Sequence, residues 1–230
     1  MFHLLPLRVR EDSGLGMSTR NLLALATLVA LLLPQLRAHA QTPVTLAQPS
    51  IKKIMIVMFE NEDGEDVIDL PFFSAFAQAG ANMTRFFAET HPSQPNYIAL
   101  TAGRQHGVKT NANHNLDVSH IGDLIEAKGM GWKTYAEGYP GDCFAGKRHG
   151  LYVRKHNPMI SYNNVRTNPE RCARIVNSDE LEADIELGTL PEFSLYIPDL
   201  INDGHDKGAA HADRWFGEKF GPLLQNQDFM

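Results

Sequence analysis

Ser93 stands between Pro92 and Pro95 in the stretch His91-Pro-Ser-Gln-Pro-Asn-Tyr97. Proline fixes φ and removes a backbone donor, so the chain on either side of this hydroxyl is restrained. A nucleophile at a strand end needs that restraint, and a surface turn uses the same letters. Three other stretches carry groups able to do chemistry. Glu60 and Asn61 follow an apolar run directly, and their carboxylate and amide oxygens suit a divalent cation or a plain polar turn. Lys155-His156-Asn157-Pro158 places an imidazole beside a rigid stop. Such a histidine can donate to phosphate oxygens or protonate a leaving alkoxide, and a lone one also reads as a loop residue. Asn202-Asp203-Gly204-His205-Asp206 mixes carboxylates with imidazole, as a metal or phosphate neighbourhood does and as an acidic loop does. His106, His114, His120 and His149 have no comparable context and read as surface residues.

The elements that must position these groups alternate. Ile51–Phe59 is a nearly continuous apolar run, the pattern of a strand buried on both faces. Pro71–Ala79 reads as a helix stopped by Gly80, Met83–Ala88 as a second strand, and Asn96–Ala102 as a helix ending at Gly103. Ser119 is the expected cap of a helix through Lys128, with Ile121, Leu124 and Ile125 inward. Strands are expected at Trp132–Ala136 and Phe193–Ile197, and helices at Asp179–Leu187 and Ala209–Leu224, with 138–177 irregular. Strand–helix alternation predicts an α/β domain with a mainly parallel sheet. Ligands bind at the carboxyl ends of such strands, the edge that collects Glu60, Asn61, the Ser93 region, Asp203 and His205.

Composition narrows the function. The chain of 230 residues is 43% hydrophobic and carries a net charge of −6, with its basic residues scattered, which excludes an electrostatic nucleic-acid binder. No G-x-S-x-G elbow, P-loop, dinucleotide glycine fingerprint or H-E-x-x-H motif is present. Met17–Arg20, the apolar run Leu22–Leu33 and Ala38-His39-Ala40 form the three parts of a secretory signal peptide. That run is about twelve residues, short for a membrane span. Residues 1–40 are therefore set aside, residues 1–16 as a start placed too early, and 41–230 taken as the domain, without a transmembrane anchor after processing and secreted or periplasmic. Export favours pairing the two cysteines, Cys143 and Cys172, around the irregular segment that carries His156.

Taken in order, Ile54–Asn61, His91–Tyr97 with Thr101-Ala-Gly103, Lys155–Pro158 and Asn202–Asp206 resemble the bacterial phosphoesterase family. That family joins secreted acid phosphatases to phospholipases C within the alkaline-phosphatase-like superfamily, and the likeness covers Ile51 to Leu224. The resemblance implies a three-layer α/β/α sandwich and a metal-dependent phosphoric ester hydrolase, an acid phosphatase acting through a phosphoserine. A phospholipase C-type diesterase, or an inactive binding module of the same fold, stays open beside it. By this resemblance Ser93 is the nucleophile and Asn96 bonds a phosphoryl oxygen. His156 stabilises phosphate or protonates the leaving group, and His205 with Asp203 completes the polar wall. Glu60, Asn61, Ser93 and Asp203 are the implied ligands of a divalent metal of unspecified identity. The substrate is a phosphate ester, either a small molecule or a phospholipid head group. The family's later acidic pair and His segment are not in this sequence. The expectation is a domain incomplete at its C-terminus, with weak metal binding, little activity and an open sheet edge.

Overall fold

Four strands pair in one parallel sheet. The first apolar run, expected to be buried on both faces, forms an edge strand at Ile54–Val57 with no fully buried residue, because nothing pairs on its outer side among the described residues. The computed structural model describes residues 51–226 and Phe229. The signal-peptide reading of residues 1–40 and the start at Gln41 lie outside the described residues. In chain order the elements are β1 (Ile54–Val57), α1 (Gly64–Val67), α2 (Pro71–Ala79), α3 (Ser93–Ala102) and α4 (Ile121–Glu126). Then come β2 (Trp132–Ala136), the antiparallel pair β3 (Arg148–His149) and β4 (Tyr152–Val153), α5 (Asn163–Arg166), α6 (Pro169–Cys172) and β5 (Ile175–Asn177). The chain continues through α7 (Glu180–Glu186), β6 (Phe193–Ile197) and α8 (Ala209–Phe220).

The main sheet is wholly parallel, in the order β1-β6-β2-β5. Central β6 is buried at every residue, and Ile54 and Trp132 both lie level with Phe193. The carboxyl ends of three strands therefore come out side by side. One face packs Phe193, Leu195, Trp132 and Ile175 against Ile98 of α3 and Ile125 of α4. The other packs Tyr135, Tyr196 and Val176 against Leu181 and Ile185 of α7 and Phe216 and Phe220 of α8. Helices on both faces of a parallel sheet make the expected three-layer α/β/α arrangement. Phe216 is the hub of its side, with ring centroids 5.0–5.5 Å from those of Phe59, Phe72, Phe73, Phe76 and Phe220. From α8, Asp213 accepts the N–H groups of Phe72 (2.9 Å) and Phe73 (2.7 Å), which the first turn of α2 leaves without helical partners. No helix among the described residues is long and apolar enough to cross a membrane.

Three local expectations differ from what forms. Met83–Ala88 is not a strand; Met83, Phe86 and Phe87 are exposed. A β-rich stretch becomes a strand only where a neighbour offers a ladder, and none among the described residues reaches it. Helix α4 is capped by His120 rather than Ser119: the imidazole Nδ1 accepts the Gly122 N–H, and the Asp123 carboxylate accepts the His120 N–H. His120 is consequently buried, not a surface residue, while Leu124 faces out. The segment 138–177 contains β5, a fourth strand too short to stand out by periodicity.

Cys143 and Cys172 are bonded, closing the segment that includes His156. Replacing both by alanine is expected to remove about 3–4 kcal/mol, the loop-entropy value for a closure of about thirty residues. Denaturant unfolding under non-reducing conditions checks this. An unchanged midpoint would mean that the buried Arg154 guanidinium, bonded to the Ala145 and His114 carbonyls, holds the segment without the bridge.

Candidate active site

Ser93 is the first residue of α3, with Pro92 as its N-cap and Pro95 in its first turn, where a missing N–H costs nothing. The helix thus begins three residues earlier than Asn96 and carries the hydroxyl on its positive end. Its far end closes at Gly103 in the left-handed conformation. β1 runs out into Glu60, and Asn61 turns the chain with φ 61°, which a short amide side chain tolerates. The Glu60 N–H donates to the Asp203 carbonyl at 2.8 Å, tying the end of β1 to the loop after β6. Gly204 is required there: its φ is +100°, and a Cβ would meet the Glu60 carbonyl at 3.2 Å.

These connections bring residues far apart in sequence into one row. The Ser93 hydroxyl donates to the Glu60 carboxylate in a short hydrogen bond. Glu60 Oε1 lies 3.6 Å from His156 Nε2, an ion-pair distance, and His156 Nδ1 lies 3.1 Å from Asp203 Oδ2. Lys155 Nζ is 3.5 Å from Ser93 Oγ and 3.4 Å from His205 Nε2. Ser93 is therefore held between a carboxylate and an ammonium. Burial would push the His156 imidazole down, but Asp203 and Glu60 outweigh it and hold its pKa above the ordinary value. Burial would likewise raise Glu60, yet His156, Ser93 and Lys155 bring it below its ordinary value. The pair favours carboxylate and imidazolium.

Ser93, Glu60, Asn61, Asn96, Lys155 and His205 line one pocket of about 820 Å³, within the size range of small-molecule sites. A more apolar cleft of about 310 Å³ runs beside β1 and is lined by no comparable cluster of polar groups. Asn96 sits on the pocket wall, with its amide bonded to Thr90 N–H (3.1 Å) and O (2.7 Å) and to Pro92 O (3.3 Å). In this structure it clamps the loop that presents Ser93. Asp203 is absent from the wall: one oxygen accepts the His205 N–H at 2.8 Å and the other faces His156.

The donor chemistry of Glu60, Asn61 and Ser93 suits a hard divalent cation, which prefers carboxylate, amide and hydroxyl oxygens. Among the described residues, no group of three or more His, Cys, Asp and Glu side chains is disposed to hold a metal. Two contributors were not among the expected site residues. Lys155 adjoins His156 in sequence, so its position was readable in outline. Glu137 follows β2 at the same sheet edge and accepts from Asp199 N–H (2.9 Å) and Asn202 Nδ2 (2.8 Å), shaping the loop that bears Asp203 and His205.

Residues 63–230 match the Phosphoesterase family. A Kluyveromyces lactis protein named "Probable acid phosphatase" is 34% identical over 190 residues, 79% of this chain and 45% of that protein. An Aspergillus fumigatus "Acid phosphatase" is 35% identical over 184 residues, 76% of this chain and 41% of its own. A "Phosphatidylinositol-3-phosphatase" of Mycobacterium tuberculosis is 33% identical over 178 residues, 74% of this chain and 56% of its own. The chain spans about half the length of the curated relatives it matches.

Proposed function

The chain belongs to the Phosphoesterase family, and from that premise we propose that it hydrolyses phosphoric monoesters with Ser93 as nucleophile. The observation that carries this reading is the Ser93 hydroxyl at a helix N-terminus, bonded to Glu60 and facing Lys155. Ser93 Oγ bonds to phosphorus as the bond to the leaving oxygen breaks. The Ser93 proton passes to Glu60, and His205 on the pocket wall protonates the leaving oxygen. Water then attacks the phosphoserine, returning a proton to His205, and Glu60 restores the Ser93 hydroxyl. Lys155 and the N-terminal end of α3 supply positive charge where the phosphoryl oxygens gain negative charge. A divalent cation held by Glu60, Asn61 and Ser93 would add charge neutralisation and a lower hydroxyl pKa. His156, enclosed between two carboxylates, fixes Glu60 rather than meeting the substrate.

Monoesters are favoured over diesters because the relatives bear the names of acid phosphatases and of a phosphatase for a phosphorylated lipid. Export completes the proposal, resting on the Met17–Ala40 pattern and on a disulfide that an oxidising compartment sustains. The test is hydrolysis of p-nitrophenyl phosphate and of phosphatidylcholine by the purified chain, with and without chelator. Aryl-phosphate turnover alone supports the monoesterase reading, diester turnover alone replaces it, and no turnover of either rejects it. Lys155→Met is expected to lower kcat/KM about 100-fold, the value of one preorganised charge-stabilising donor, with part recovered in Lys155→Arg. Wild-type kinetics in Lys155→Met would remove the lysine from the mechanism.

A further inference from the structure

Asn111 joins the wall of the Ser93 pocket from the loop that follows α3. That loop leaves the helix at Gly103, buries Val108 in the core and returns past the first turn of the same helix. There Asn111 Oδ1 accepts the N–H of Gln94, the residue next to Ser93, at 3.0 Å. Only the carbonyl end of an amide can accept an N–H, so this bond fixes which way the side chain faces. The Nδ2 end carries two donors and makes no hydrogen bond to any described residue. Few donors of the first turn are free for a ligand: Pro95 has none, and that of Gln94 is taken by Asn111. An amide that accepts at its oxygen donates more strongly at its nitrogen, because hydrogen bonds in a chain polarise one another. Asn111 therefore passes the helix's donor outward to the pocket.

We propose that Asn111 is a phosphoryl-binding residue: Oδ1 stays on the Gln94 N–H, and Nδ2 donates to a non-bridging oxygen of the phosphoryl group at Ser93. The proposal rests on the reading of Ser93 as nucleophile. Glu60, Glu62, Asp63 and Asp66 already set carboxylates around this pocket, so a phosphoryl group depends on donors aimed at its oxygens. Lys155 supplies charge, and Asn111 supplies direction. The bond strengthens as the phosphoryl oxygens gain negative charge, so it acts on kcat as well as on binding.

The full chain would be compared as wild type, Asn111→Asp and Asn111→Ala, by hydrolysis of p-nitrophenyl phosphate and by calorimetric titration with inorganic phosphate. Asn111→Asp keeps the shape and the acceptor for Gln94, removes both donors and turns another carboxylate to the pocket. Asn111→Ala removes the acceptor as well. A purely structural role makes the Asp variant the milder of the two, and a substrate contact makes it the harsher. Asn111→Asp is expected to melt no lower than wild type, because a carboxylate is favourable at a helix N-terminus. It should nevertheless lower kcat/KM about 10³-fold, against about 100-fold in Asn111→Ala. Its dissociation constant for phosphate should rise at least about tenfold. A kcat/KM in Asn111→Asp equal to or above that of Asn111→Ala overturns the proposal. Should the wild-type chain show no turnover, the monoesterase reading fails by itself, and the phosphate titration decides the role of Asn111. Equal phosphate affinity in wild type and Asn111→Asp overturns that role, and so does a wild type that binds no phosphate.

Discussion

Ser93→Ala is expected to lower kcat by at least about 10³-fold while leaving the folded structure in place. The loss is large because no other described side chain combines a hydroxyl with this position. Ser93 opens α3 at the carboxyl edge of a parallel sheet, with its proton already bonded to Glu60 and an ammonium beside its oxygen. The fold survives because the change abandons no buried charge: Glu60 keeps His156 beside it after the hydroxyl goes. Alanine is also a strong helix former. Steady-state kinetics on an aryl phosphate, paired with circular dichroism of the same sample, measures both halves. A folded variant retaining a tenth of wild-type turnover would rule out Ser93 as the nucleophile.

Asp203→Ala is expected to cost about 3–5 kcal/mol of stability, the usual result of removing one partner of a buried ion pair. Asp203 and the His156 side chain are each 1% exposed, and their charges lie 3.1 Å apart. Deleting the carboxylate leaves the imidazole with Glu60 alone and frees the His205 N–H that Asp203 accepts at 2.8 Å. For a domain of this size the melting temperature should fall by roughly 10 °C. The double variant Asp203→Ala with His156→Ala should lose less than the sum of the two single changes, since the orphaned charge is gone. Thermal unfolding in the presence of chelator tests this directly. If the main work of Asp203 were to bind a cation, the chelated variant would melt with the chelated wild type. Asp203→Asn keeps the shape and one acceptor, and should fall between the two.

Much of this was legible residue by residue. Trp132–Ala136 and Phe193–Ile197 form strands over those same residues, because short runs rich in aromatic, aliphatic and β-branched residues, broken only by Lys133 and Ser194, have few alternatives. Pro71 and Gly80 bracketed α2 by opposite rules: proline costs nothing at a helix start and glycine ends one cheaply. The cysteine pair needed only a count of two and the export pattern. Ser93 stood out because two prolines restrict the backbone around it. These are local properties, carried by a residue and its nearest neighbours in the chain.

The rest required contacts that no local pattern encodes. Glu60 meets Ser93 across 33 positions and Lys155 reaches it across 62. Those separations close only because β1, β6 and β2 lie in register and their loops emerge at one edge. The family resemblance implied Asp203 as a metal ligand, and folding sets one of its oxygens on the His205 N–H and the other against His156. His120 had no visible role until Gly122 and Asp123 closed a cap around it. Met83–Ala88 had the composition of a strand, with no neighbour to pair with among the described residues. Sequence by itself determined which segments bury and which groups are chemically able. The pairing of those groups was decided by the tertiary structure, because hydrogen bonds and ion pairs depend on distance in space, and the sheet register sets it.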